Sequence, residues 1–189
     1  TPTRDFNNVV LKIKAAAPDI VIPADYYNEY VLLARTMQQQ KVRPKAAIYS
    51  ILGGAASSYK FVKEFPEAAK YIMDCNHWFD PKNPKAIELK KKVEAKGQFF
   101  TYEVYLNYSA VLLTADALAH AGAADRAKLT EALASSTFSG HVMPYGPTKF
   151  VDGQNQGAAP ANTQVLDNDI KVILPEKFAQ AKPVFPMPA

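Results

Sequence analysis

Few residues of this 189-residue chain carry chemistry by type and spacing. Asp25 and Glu29 stand four apart, a separation that sets two carboxylates on one helical face. Such a pair can do acid–base work, but two acids at a helix start are equally explained by the helix dipole, and Asp25 also fits as the cap of a helix opening near Asn28. Cys75 is the single cysteine, so there is no intrachain disulfide and no thiolate metal cluster. At the end of a strand it reads as a small buried hydrophobe rather than a nucleophile. His77, His120 and His141 lie far apart without ligand spacing, which predicts no metal site. No serine has a nucleophile-elbow setting, and Gly53-Gly54 lacks the lysine of a phosphate loop. These residues give an enzyme nothing to converge on, and no cofactor is expected.

What the residues do offer is a place to hold something. The short apolar run Ile20–Ile22 reads as a buried strand, and it stops abruptly at Asp25-Tyr26-Tyr27 before a new helical pattern begins. In an open α/β sheet, ligands sit in the crevice beyond the carboxyl ends of the strands. A tyrosine there presents a flat apolar face and one hydroxyl, which suits a small solute of mixed character. Tyr26 and Tyr27 both stand at that end, with a helix start right behind them.

The elements that position this strand end follow from periodicity. A helix is expected from an Asp5 cap to Ala17, with Phe6, Val9, Val10 and Ile13 on one face. A second runs from about Asn28 to Gln40 through Tyr30, Leu33, Ala34 and Met37. Strands follow at Ala46–Ser50 and Tyr71–Cys75, around a short helix bearing Tyr59, Phe61, Val62 and Phe65. The order αβαβαβ predicts a parallel sheet with right-handed crossovers. Three strands make a poor sheet, so it must be completed by residues outside this chain or by the C-terminal strands.

From Asn76 the character changes. His77–Pro84 is linker-like, with two prolines, and Pro84 suits the first turn of a helix ending at Gly97. Residues 102–121 form the longest helical pattern, closed by Gly122, and a short helix spans Asp125–Ala134. Phe99, Phe100, Tyr102, Tyr105 and Tyr108 are mostly core by helical spacing. The tail returns to strands at Thr148–Val151, with a turn at Asp152-Gly153. Thr163–Leu166 and Ile170–Leu174 form a hairpin around Asp167-Asn168-Asp169. Pro183, Pro186 and Pro188 mark an extended, surface-bound end.

Composition excludes other classes. With 48% apolar and 21% charged residues the chain is an ordinary globular one. Net charge is +4, and the basic residues are dispersed. Only Lys90-Lys91-Lys92 cluster, on a helix face without stacking aromatics, so no nucleic-acid partner is expected. There is no apolar run of membrane-spanning length. Thr1 is not a natural start, so an upstream segment is expected to have been removed.

The ordered series of elements and punctuation resembles the C-terminal half of a periplasmic substrate-binding protein of the branched-chain amino-acid ABC-transporter family, the type I periplasmic-binding fold. The matching text is Asp5-Phe6, Ile13-Lys14-Ala15-Ala16, Pro18-Asp19-Ile20-Val21, Tyr26, Trp78, Tyr108-Ser109-Ala110, Ala117-Leu118, Ala121-Gly122, Asp125, Ala132-Leu133, Gly146–Phe150, Asp152–Asn155 and Gln164-Val165. The resemblance implies a two-lobed α/β protein with its parallel sheet flanked by helices. Residues 1–76 would be the α/β portion of lobe II and 77–145 the helical portion of lobe I with a crossover. Residues 146–189 would be a crossover and the strands returning to lobe II. It further implies a periplasmic location, hinge closure on a small molecule, and delivery to a membrane permease. The N-terminal half, or another copy of the chain, would cover what this chain leaves open. Tyr26 matches a position that places an aromatic on the ligand. Ser50 lies where amino-acid-binding relatives put an acid for the ammonium, and burying an ammonium without a counter-charge is costly. That departure favours an aromatic or aliphatic carboxylate over a plain amino acid. Tyr49, Ser50 and Gly53 would line the cleft, with Tyr102 facing it. The alternatives are a ligand-sensing receptor ectodomain of the same fold and a flavodoxin-like α/β enzyme.

Overall fold

The computed structural model describes residues 4–51 and 57–188. The chain divides into two compact units, one built from Thr1–Asn76 and Ala161–Ala189, the other from His77–Pro160.

In the first unit, helix α1 (Asn7–Ala16) leads to strand β1 (Ile20–Val21), α2 (Tyr27–Gln39), β2 (Ala47–Ile51), α3 (Tyr59–Glu64), α4 (Pro66–Ala69) and β3 (Met73–Asn76). Strands β1, β2 and β3 are parallel neighbours. The sheet is completed by C-terminal strands β6 (Ala161–Leu166) and β7 (Asp169–Leu174), in the order β1-β2-β3-β6-β7. Both new pairings are antiparallel. The hairpin turns at Asp167 and Asn168, whose φ values of 52° and 57° are left-handed, a conformation that Asp and Asn tolerate better than other side chains.

Helix α2 buries Tyr30, Leu33, Ala34 and Met37, the face its spacing requires. Tyr30 meets Phe61 of α3 edge to face, with centroids 5.6 Å apart. Two expectations fail here. Ile20–Ile22 is not a buried strand, because β1 lies at the sheet's edge and Ile20 and Ile22 are 47% and 61% exposed. On α1, Phe6 and Val10 are buried but Val9 is not. Asp5 acts from one residue outside the cap, accepting a hydrogen bond from the Asn7 N–H at 2.7 Å. The C-terminal end is held rather than loose. Gln164 accepts from the Val184 N–H and donates to the Val184 carbonyl, and the Met187 N–H bonds the Ala46 carbonyl at 2.7 Å.

The second unit holds helices α5 (Pro84–Glu94), α6 (Tyr102–Ala121) and α7 (Arg126–Ala134), with a two-stranded hairpin of β4 (Phe150–Val151) and β5 (Gln154–Asn155). Pro84 occupies the first turn of α5, and Asn83 Oδ1 accepts from the Lys85 N–H at 2.9 Å. Asn83→Ala removes that acceptor and is expected to cost about 1 kcal/mol in thermal unfolding, while Asn83→Ser recovers most of it. The lysine triplet is a solvated face, with Lys90 and Lys92 paired to Glu94 and Glu88 one turn away. Trp78, in the linker-like stretch just after the division at Asn76, is 1% exposed and packs on Phe79 and Tyr105 at centroid separations of 5.3 and 5.9 Å, and those two rings in turn pack on Phe100.

Candidate functional site

The carboxyl ends of β1 and β2 are joined by backbone. The Ile51 N–H bonds the Pro23 carbonyl at 3.0 Å, and Ala24 bridges Ile51 in parallel sense. The connection into α2 therefore runs beside the last residue of β2, and Tyr26 follows two residues after Ala24. Tyr26 is the N-cap of α2 in extended conformation, and its carbonyl accepts the first helical bond, from Tyr30. Its ring is 74% exposed. A large aromatic left in solvent at a strand end is available for a ligand.

Asp25 does not cap α2, since no side chain bonds that helix end. The reason is register: α2 starts at Tyr27, so the cap position falls on Tyr26 and Asp25 lies one residue outside it. Asp25 is half-buried, and its carboxyl is raised from the ordinary range by burial first and by Glu29 second. Among the described residues it makes no hydrogen bond or ion pair. Tyr27 is half-buried with Lys60 Nζ 5.8 Å from its ring centroid, a packing role.

Strand geometry separates Tyr49 from Ser50, because successive side chains point to opposite faces. Tyr49 donates its hydroxyl to Asn162 Oδ1 on β6. Burial, then neighbouring Cys75, pushes the Tyr49 hydroxyl up to about 12, so it stays a donor. Cys75 is half-buried rather than enclosed. Ser50 lies on the other face, 1% exposed, in register with Asp74 on β3, which is in register with Thr163 on β6. Ser57 ties this row together. Its N–H donates to Asp74 Oδ2 at 3.2 Å, and its hydroxyl lies 2.9 Å from Thr163 Oγ1. Ser50 Oγ, Asp74 Oδ1 and the Tyr30 hydroxyl have no hydrogen-bond partner among the described residues. Burial lifts the Asp74 carboxyl to about 6, partly offset by its bonds to Ser57 and the Cys75 N–H.

The structure thus brings Tyr26, Asp25 and the end of β2 together. It places Tyr49 and Ser50 on opposite faces, with Ser50 enclosed. Gly53 lies outside the described residues. Tyr102 opens α6 in the second unit, half-buried, its hydroxyl raised by burial and then by Glu103. Sequence reasoning missed Asp74. Its signal was the alternation of Tyr71–Cys75, which becomes readable only once β6 is known to lie beside β3. Among the described residues no cluster of three His, Cys, Asp or Glu side chains could hold a metal ion, and no helix is long and apolar enough to cross a membrane.

The first unit is thus an α/β layer, a sheet parallel across β1–β3 and antiparallel across β6 and β7 with helices flanking it, and an exposed aromatic follows the carboxyl end of its edge strand. The sequence pattern of the periplasmic binding protein family matches residues 1–169, and the chain belongs to that family. Its fold is similar to that of the leucine binding protein LivK from Thermotoga maritima (TM-score 0.73, 20% identity), over 90% of this chain and 48% of that one. It is also similar to the branched-chain amino acid transporter substrate binding protein LivJ from Streptococcus pneumoniae, in complex with isoleucine (TM-score 0.70, 20% identity, 96% and 49% covered). A third similar structure is a branched chain amino acid ABC transporter from Thermus thermophilus with bound valine (TM-score 0.68, 10% identity, 89% and 48% covered). The chain spans about half the length of these structures. No curated protein matches.

Proposed function

We propose that this chain forms much of an extracytoplasmic solute-binding protein, located in the periplasm, which captures a small organic solute by hinge closure and passes it to an ABC-transporter permease. The solute is an amino acid or an aromatic or aliphatic carboxylate. The observation that carries the reading is Tyr26: a solvent-exposed aromatic at the joined ends of two parallel strands, in a chain of the periplasmic binding protein family. Tyr26 would stack on the solute's apolar part, and Asp25 beside it would serve an ammonium if the solute has one. Tyr49, Ser50, Gly53 and Tyr102 remain candidates. Of these, Ser50 would require opening of the strand end, and Tyr49 would act through its ring, because its hydroxyl is engaged by Asn162.

A further part of the proposal is that other protein completes the second unit. Helix α6 leaves Val111 and Leu118, seven residues apart, 67% and 37% exposed, and the unit's one described sheet has two short strands. A helical layer with an apolar stripe normally packs on a sheet. We assign that role to the family's N-terminal half, with a second copy of the chain as the lesser substitute.

A thermal-shift and calorimetric screen against amino acids, aromatic acids and short aliphatic acids tests the reading. The protein with both halves is expected to bind one class, Tyr26→Ala to weaken that binding about tenfold or more, and the isolated 189 residues to bind no tighter than about 1 µM. Unchanged affinity in Tyr26→Ala would remove the site; submicromolar binding by the isolated chain would remove the clamp.

A further inference from the structure

A groove of about 390 Å³ opens on the first unit between α2, α4, the start of β2 and the C-terminal segment. It lies at the amino ends of the strands, where Lys41 and Arg43 precede β2 and Lys70 precedes β3, opposite the strand ends that carry Tyr26. Its floor is apolar: Met37, Ile48, Ala68 and Met187, each 3–9% exposed. Its rim carries three exposed cations, Lys41, Arg43 and Lys70, against one carboxylate, Glu67. Among the described residues none of the three cations forms an ion pair. Two are steadied by neighbours. Arg43 Nη2 donates to the Lys70 carbonyl at 3.3 Å, and both side chains sit over the Tyr71 ring, 5.9 and 5.4 Å from its centroid. The guanidinium keeps further donors free in a planar fork that matches a carboxylate.

We propose that this groove is a second binding site, for a small amphipathic carboxylate whose chain lies on the Met37–Ile48–Met187 floor and whose head meets Arg43 and Lys70. The volume lies in the range of small-molecule sites, which pair an apolar lining with a few placed polar groups. A protein partner would need roughly 800 Å² of its own surface in contact, far beyond what this groove offers. The charge complementarity selects an acid over a neutral amphiphile. The site involves neither Tyr26 nor the second unit, so it stands independently of the transport reading.

The test is a ¹⁵N amide titration of the 189-residue chain with decanoate below its micellar concentration, with decanol and acetate as controls. Decanoate is expected to move the amides of residues 37–43, 68–71 and 187 and to bind about tenfold or more tighter than either control. Arg43→Gln/Lys70→Gln should lose about tenfold, and Ala68→Leu, which fills the floor, should abolish binding while the amide spectrum stays dispersed. Equal binding of decanol, full affinity in either variant, or shifts gathered instead along α6 would each overturn the proposal. Because Tyr26→Ala leaves this groove intact, its effect on the transported solute and on decanoate separates the two sites.

Discussion

Replacing Trp78 by alanine is expected to cost the second unit about 3–5 kcal/mol, the largest effect of any single substitution considered for this chain. Trp78, Phe79, Phe100 and Tyr105 are each no more than 4% exposed; Phe79 and Tyr105 touch each other, and both touch Trp78 and Phe100, edge to face or tilted. The Tyr105 hydroxyl donates to the His77 carbonyl at 3.1 Å, fixing the backbone beside Trp78. Removing the indole leaves a gap against Phe79 and Tyr105, and Tyr105, carried by α6, cannot collapse into it. Whole domains are stable by only about 5–15 kcal/mol, so the loss is a large fraction of the unit's stability. For a unit of this size it corresponds to a fall in Tm of about 15 °C or more. Calorimetry reads it without needing the lost fluorophore. The transition of the first unit should stay in place, and Trp78→Phe should recover much of the loss. A fall of less than about 1 kcal/mol would mean that the four rings are not a packing centre.

The same cluster shows where sequence reading works and where it stops. The pattern through Tyr30, Leu33, Ala34 and Met37 places α2 because a helix's buried face repeats locally, and the structure buries all four. The hairpin around Asp167-Asn168 is legible for the same reason, since turn chemistry lies within the segment. The burial of Trp78 was not legible, because its ring partner Tyr105 lies more than twenty positions away. β1 fails because three apolar residues look alike in a central strand and at an edge. At the candidate site, Tyr26 was legible as an aromatic after a strand. The Asp25 cap was not, because α2 starts at Tyr27 and its cap is Tyr26, one residue past Asp25. The row Ser50–Asp74–Thr163 was out of reach, since it depends on an antiparallel pairing between residues almost ninety apart.

That row carries the second large expectation. Asp74 is enclosed, and its carboxyl is raised from 3.8 to about 6, by burial above all. The folded chain therefore holds the Asp74 proton more tightly than the unfolded chain does. Between about pH 4 and 6 the folded state carries more protons, so the sign of the linkage is that stability falls as pH rises through this window and levels off above it. Two pKa units amount to on the order of 2–3 kcal/mol. Asp74→Asn keeps an oxygen for the Ser57 N–H at nearly the same shape, with no charge to desolvate. The variant should match the parent near pH 4 and exceed it by about 2 kcal/mol at pH 7, measured by urea unfolding of the first unit at several pH values. A difference that stays flat across that range would show that Asp74 is not the group responsible. A buried, half-partnered carboxylate at the carboxyl ends of the central strands costs stability where the lobe would meet its solute, and natural chains tolerate such violations at functional sites more than elsewhere. If Asp74→Asn stabilises the fold and also weakens solute binding by the protein with both halves, the row beneath Tyr26 belongs to the site; if it stabilises without that loss, Tyr26 and Asp25 hold the solute without it.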